Sequence, residues 1–164
     1  MEEWDTYVIP TGNHYSLQNT FEEIRLDTLA FDLTFDSSAI YQSVNPNNQK
    51  DWNKVIGFSD CQSFHQSNSA RLGWRWTPNV GIELGAYTYQ NDNREFAEID
   101  TIQIGDTVHS RIIKLDSTYA FDIGSKRYLA TRGCSTDSVA YWLYPYFGGD
   151  EPAHDTVRIY LKFD

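Results

Sequence analysis

The sequence predicts an all-β fold, an antiparallel β-sandwich of two sheets. Three observations carry that expectation. Apolar and polar residues alternate with a period of two along much of the chain. No segment shows the i, i+3, i+4, i+7 apolar stripe of an amphipathic helix. Aromatic residues, which favour pleated surfaces, make up 15% of the 164 residues.

The elements follow in order. Residues 29–36 alternate cleanly, with the odd positions Leu29, Phe31, Leu33 and Phe35 turned to a core. Residues 37–53 have room for a short helix or 3₁₀ turn, which Asn45-Pro46-Asn47-Asn48 is expected to break. Residues 69–76 and 81–90 alternate again, and Thr77-Pro78-Asn79-Val80 joins them as a hairpin. Asn91-Asp92-Asn93 reads as a tight turn into a strand over 94–99. Strands over 107–115, 118–123, 126–131, 140–147 and 156–163 complete the chain. Roughly ten short strands without crossover helices must pair antiparallel. A jelly roll accommodates them, within one domain spanning 1–164. An immunoglobulin-like sandwich fits less well, because no Cys…Trp…Cys pattern spans the core.

Composition excludes some functions. With 13 Lys and Arg against 23 Asp and Glu, the net charge is -10, which argues against a nucleic-acid or anionic-membrane surface. No apolar run reaches the roughly 18 residues that span a bilayer. The acidic start, Met1-Glu2-Glu3-Trp4, has no apolar leader, and Met1 is the only methionine. We therefore expect a secreted or cell-surface protein whose signal segment is already removed, Met1 being added to the trimmed chain. A cytoplasmic protein is the alternative. Cys61 and Cys134 are either two free thiols or one disulfide closing a loop of about 70 residues. The four histidines and two cysteines have no metal-ligand spacing, so no cofactor is expected. Asp150, Glu151 and Asp155, in an acidic turn, offer oxygens suited to Ca²⁺.

One constellation carries chemistry. On the strand 69–76, Ala70, Leu72, Trp74 and Trp76 share a face, and Ser69, Arg71, Gly73 and Arg75 share the other. On 81–90, Ile82, Leu84 and Ala86 face the core, with Glu83, Gly85, Tyr87 and Tyr89 opposite. The hairpin sets Arg71, Arg75, Glu83, Tyr87 and Tyr89 in one patch, with Gly73 and Gly85 leaving floor space. Tyrosines offer flat stacking surfaces, and arginines a fork for carboxylates. Arg71 and Tyr87 should stand side by side, with Trp74 and Leu84 buried behind them. The plainer alternative is a solvated face carrying an Arg75–Glu83 ion pair of little consequence. His65, in the polar loop before Arg71, is a further binding candidate.

A resemblance extends this reading. Asn53-Lys54-Val55-Ile56-Gly57-Phe58 is followed by Ser69-Ala70-Arg71-Leu72-Gly73-Trp74-Arg75, then Ile82-Glu83-Leu84-Gly85-Ala86-Tyr87. Tyr146-Phe147-Gly148-Gly149-Asp150 and Asp155-Thr156 precede the last strand. That order, over residues 50–163, resembles the concanavalin-like jelly-roll polysaccharide lyases that cleave alginate and glucuronan. The chain is also similar to secreted bacterial proteins. The family's pattern falls on Lys54, Ser69, Arg71 and Tyr87. Gly85 stands where the family has the first tyrosine of a Tyr-Ala-Tyr pair, Ile56 where it has proline, and Gly73 where it has methionine. The resemblance implies β-elimination on a uronate glycan. Arg71 and Lys54 would neutralise the carboxylate, and Tyr87 would act as base or acid. Ser69, Arg75, Glu83, Tyr89 and His65 would bind the substrate, with Tyr89 on the same face as the missing tyrosine. Two further readings share the fold: a non-catalytic carbohydrate-binding or cell-surface accessory protein, and a scaffold subunit of a cell-surface assembly.

Overall fold

The computed structural model describes residues 3–135 and 139–164. Met1 and Glu2, which enter the expectation of a trimmed start, lie outside the described residues. The strands are β1 (Asp5–Ile9), β2 (Glu23–Ile24), β3 (Thr28–Phe35), β4 (Asn53–Ser59), β5 (Ser69–Thr77), β6 (Gly81–Gln90), β7 (Asn93–Ile102), β8 (Thr107–Lys114), β9 (Thr118–Ile123), β10 (Lys126–Thr131), β11 (Ala140–Leu143) and β12 (Val157–Phe163). They form two antiparallel six-stranded sheets, β1-β12-β3-β8-β9-β10 and β2-β11-β4-β5-β6-β7. The sheets face each other over one core, in which Phe31, Leu33, Phe58, Leu72, Trp74, Leu84, Phe121 and Ile159 are fully buried. This is the all-β sandwich that the alternation predicts.

Local chemistry explains the details. In β3 the odd positions are buried and the even ones are not, as the period of two requires. Asn91 and Asp92 both adopt positive φ, so the β6–β7 turn has two residues, closed by a Gln90–Asn93 pair. The Asn45-Pro46 pair starts a 3₁₀ turn over Pro46–Lys50 and does not break one. The Asn45 side chain accepts the Asn47 N–H, and proline occupies a first-turn position where its missing N–H costs nothing. The strand expected over 140–147 stops at Leu143. The chain rejoins β4 only where Tyr146 pairs with Lys54. Pro145, lying between, has no N–H for a ladder. Strands β1 and β2 and the β4 ladder carried no alternation strong enough to be placed beforehand.

The second sheet differs from the first on its outer side. All of β4, and β6 from Gly81 to Thr88, are buried on both faces. Segments 10–18 and 144–154 cover this side and bond to each other: Gly12 N–H to the Ala153 carbonyl, Ser16 N–H to Pro145, and Phe147 N–H to His14. Cys61 and Cys134 form a disulfide. Beside it Asp60 is buried with Arg132, 2.6 Å away, and accepts the Tyr119 hydroxyl at 2.7 Å.

Candidate functional site

The outer face of the second sheet is a grid set by its register. One row runs Leu143, Gly57, Arg71, Tyr87, Phe96. The row beside it runs Tyr141, Ser59, Ser69, Tyr89, Arg94. On the other side lie Tyr146, Lys54, Gly73, Gly85 and Glu98. Arg71 and Tyr87 are direct cross-strand partners, and Trp74 and Leu84 lie buried behind them.

Lys54 reaches this face through a bulge. Lys54 pairs with Gly73 and Ile56 with Leu72, so Val55 is an extra residue in β4. Strict alternation would place Lys54 with Ile56 and Phe58 in the core. The bulge turns it outward instead.

Lys54, Arg71 and Tyr87 thus meet. The Lys54 Nζ lies 4.5 Å from the Tyr87 ring centre and 5.2 Å from that of Tyr146, and donates to the Gly148 carbonyl at 3.2 Å. The Arg71 guanidinium lies 5.2 Å from the Tyr87 ring. Lys54 and Arg71 are 6% and 7% exposed. Among the described residues neither forms an ion pair with a carboxylate, and the Arg71 Nε has no hydrogen-bond partner. Burial, helped by the charges of Arg71 and Arg94, pushes the Lys54 ammonium down to about 7. Burial also depresses the Arg71 guanidinium. These groups open into a pocket of about 620 Å³, also lined by Tyr15, Phe21, His65, Tyr89, Trp142, Tyr144 and Tyr146. The His65 imidazole is pushed down by burial and then by Arg71 and Lys54, which favours its neutral form. Burial, then the neighbouring Tyr87, raises Tyr89.

The other predicted binding residues are placed elsewhere. The buried Ser69 hydroxyl donates to the His65 carbonyl at 2.6 Å, so it shapes the loop that carries His65. Arg75 and Glu83 pair at 2.6 Å, outside the pocket. Burial opposes ionisation of Glu83, but hydrogen bonds from Thr77 and Arg75 outweigh it and hold the carboxyl low. The floor space expected over Gly73 and Gly85 is filled by Trp52. A Cβ at Gly85 would stand 3.1 Å from its ring, and one at Gly73 would stand 3.3 Å away. The Arg75 guanidinium caps the same indole at 4.4 Å. Trp52 and Arg94 were not picked out from the sequence. Arg94 lies one row from Tyr87, whose side chain raises the guanidinium pKa.

The acidic turn does not gather as a Ca²⁺ site. Glu151 is spent on the N–H groups of Val44 and Asn45, the Asn48 amide and His154. Among the described residues, Asp150, Glu151 and Asp155 do not converge at ligand distance. Among them, too, no helix is long and apolar enough to cross a membrane.

No protein-family model matches the chain, and no curated protein matches it. Solved structures do. Alginate lyase Aly36B superposes with a TM-score of 0.67 at 14% identity, over 96% of this chain and 78% of that one. Alginate lyase AlyC3 gives 0.69 at 8% identity, over 99% and 74%. A Bacteroides ovatus glycoside hydrolase of family 16, bound to a mixed-linkage glucan product, gives 0.60 at 7% identity, over 96% and 78%. A variant of Aly36B with one lysine and one tyrosine replaced by alanine is solved with an alginate tetrasaccharide. What these structures share with the chain is the concanavalin-like jelly roll, and the chain has that fold.

Proposed function

We propose that the protein binds uronate-containing glycans in the Lys54–Arg71–Tyr87 pocket and cleaves them by β-elimination. The observation that carries this is the pair of nearly buried cations without a carboxylate. Burying a charge without a partner is costly, so such a pair marks a place for an anion. The tyrosines around it offer stacking surfaces for sugar rings. An anionic sugar meets both demands.

The reaction follows from the protonation states. Arg71 stays charged and neutralises the uronate carboxylate, which makes the adjacent C5 proton acidic. Lys54, with a pKa of about 7, is a poor permanent counter-ion and a workable base. It therefore takes the C5 proton, a role other than the neutraliser the resemblance implies. The C–H electron pair forms the C4–C5 double bond as the C4–O bond breaks. The leaving oxygen receives the Tyr87 phenolic proton. Export to an oxidising compartment belongs to the proposal and is supported by the Cys61–Cys134 disulfide.

The test is ultraviolet absorbance of the conjugated unsaturated uronate, followed on a panel including alginate and glucuronan. The wild type should generate it, with a rate that rises with pH through about 7 as Lys54 loses its proton. Lys54→Ala and Tyr87→Phe should each cut the rate by roughly a hundredfold or more. The alternative is a carbohydrate-binding protein without catalysis. It is favoured by Trp52, which covers Gly85, the position where the resemblance places the first tyrosine of the Tyr-Ala-Tyr pair. Oligouronate binding without absorbance change, in the wild type, would establish it.

A further inference from the structure

A second, smaller pocket adjoins the site, and Lys54, Tyr87 and Gly149 line both. It has a volume of about 170 Å³, against about 620 Å³ for the first. Its further walls are Lys50, Asp51, Trp52, Arg94 and Phe96. Two features make it more than a crevice. Arg94 is exposed and, among the described residues, forms no ion pair with a carboxylate. The Trp52 indole is 7% exposed, and its Nε1–H is buried without an acceptor. An orphaned indole N–H costs stability unless something accepts it. The charges balance towards anions, with Lys50 and Arg94 against Asp51, and the Asp51 carboxylate accepts the Asp150 N–H at 3.4 Å.

Resting on the uronate reading of the main pocket, we propose that this smaller pocket is a one-residue acidic-sugar subsite. Arg94 binds the carboxylate, Trp52 donates Nε1–H to a ring substituent, and Phe96 closes the side. Its place, across Lys54 and Tyr87 from Arg71, puts the scissile bond at the junction of the two pockets. The protein thus reads two successive uronates, and the end on the Arg94 side is one sugar long. The Trp52 indole seated on Gly73 and Gly85 sets that limit. The same glycine that removes a tyrosine from the groove makes the room for this wall.

Isothermal titration with a monouronate and with the matching saturated diuronate tests this without requiring turnover. The wild type should bind the diuronate about tenfold or more tightly than the monouronate, the gain expected of one added charge-assisted contact. In Arg94→Met that ratio should collapse towards one, and in Trp52→Phe it should fall by several-fold. If Arg94 only steadied Tyr87, both affinities would drop together with the ratio unchanged, and the subsite would be refuted. A wild-type ratio near one would refute it equally, while measurable monouronate affinity kept the main pocket. If the wild type bound neither sugar, the uronate reading itself would fall, and the subsite with it.

Discussion

In the proposed reading, Arg71 and Lys54 set anion binding against stability. A buried guanidinium without an acid pays desolvation that no neighbour returns, the Tyr87 ring at 5.2 Å being a weak substitute. Arg71→Met should therefore raise the unfolding free energy by about 1–3 kcal/mol in a denaturant titration while abolishing uronate binding. Lys54 gives a pH signature. Its folded pKa, about 7, lies below its unfolded value of 10.5, so between these pH values the unfolded chain holds a proton that the folded one lacks. Stability from this group must then rise with pH across that window and be at its lowest below about 7. Lys54→Met should remove the rise, which urea midpoints at several pH values would show. At this scale the sequence was half legible. Arg71, Tyr87 and Tyr89 followed from strand parity, because the hairpin register was clear. The outward turn of Lys54 did not, because nothing in Lys54-Val55-Ile56 announces a bulge. Trp52 precedes its strand, and where it folds over depends on two glycines in other strands.

Between elements, the loop after β4 ties the pocket to the core. Residues 61–68 carry His65 into the site. Cys61 and Gln62 hold positive φ next to the disulfide, and the Asp60 N–H bonds the Asn68 carbonyl. Asp60 and Arg132 anchor this loop from below. Burial works against the Asp60 carboxylate, but hydrogen bonds from Arg132 and Tyr119 more than offset it and hold its pKa low. Stability drawn from the carboxylate is therefore present above the unfolded value, near 4, and is lost as pH falls through the lower folded one. Arg132→Met, which strands the buried carboxylate, should cost about 3–5 kcal/mol by chemical denaturation. Reduction of the disulfide should cost up to about 4 kcal/mol by the chain-entropy argument. Sequence spacing left the pairing of the cysteines open. Their partnership is set by the fold: Cys61 follows β4 and Cys134 follows β10, two strands in different sheets, with the Asp60–Arg132 pair beside them.

For the whole molecule, the fold class was readable because a period of two is a property of every strand and survives errors at their ends. The expected strands were mostly right in place; the misses are β1 and β2 at sheet edges, the shortened β11, and the interior β4, whose residues are all buried and so leave no alternation. The two-residue β2 and the short β11 bury too little to leave a pattern. Charge, by contrast, misleads when summed. The chain carries -10 overall, yet Lys50, Lys54, Arg71 and Arg94 gather on one face. Attraction of a polyanion must then be short-ranged, and uronate binding should weaken only modestly with salt, because screening the repulsive acidic surface offsets part of the lost local attraction.

β7 is the free margin of the second sheet, and its unpaired backbone is a template on which another chain could add a strand. Its side chains oppose that. Glu95 and Glu98 are exposed, and Lys126 reaches from the opposite sheet to Asp100 at 2.8 Å. Two copies meeting edge to edge would bring like-charged rows together, which opposes that pairing. Replacing Glu95 and Glu98 with threonine should leave the core intact and promote self-association, visible as concentration-dependent light scattering.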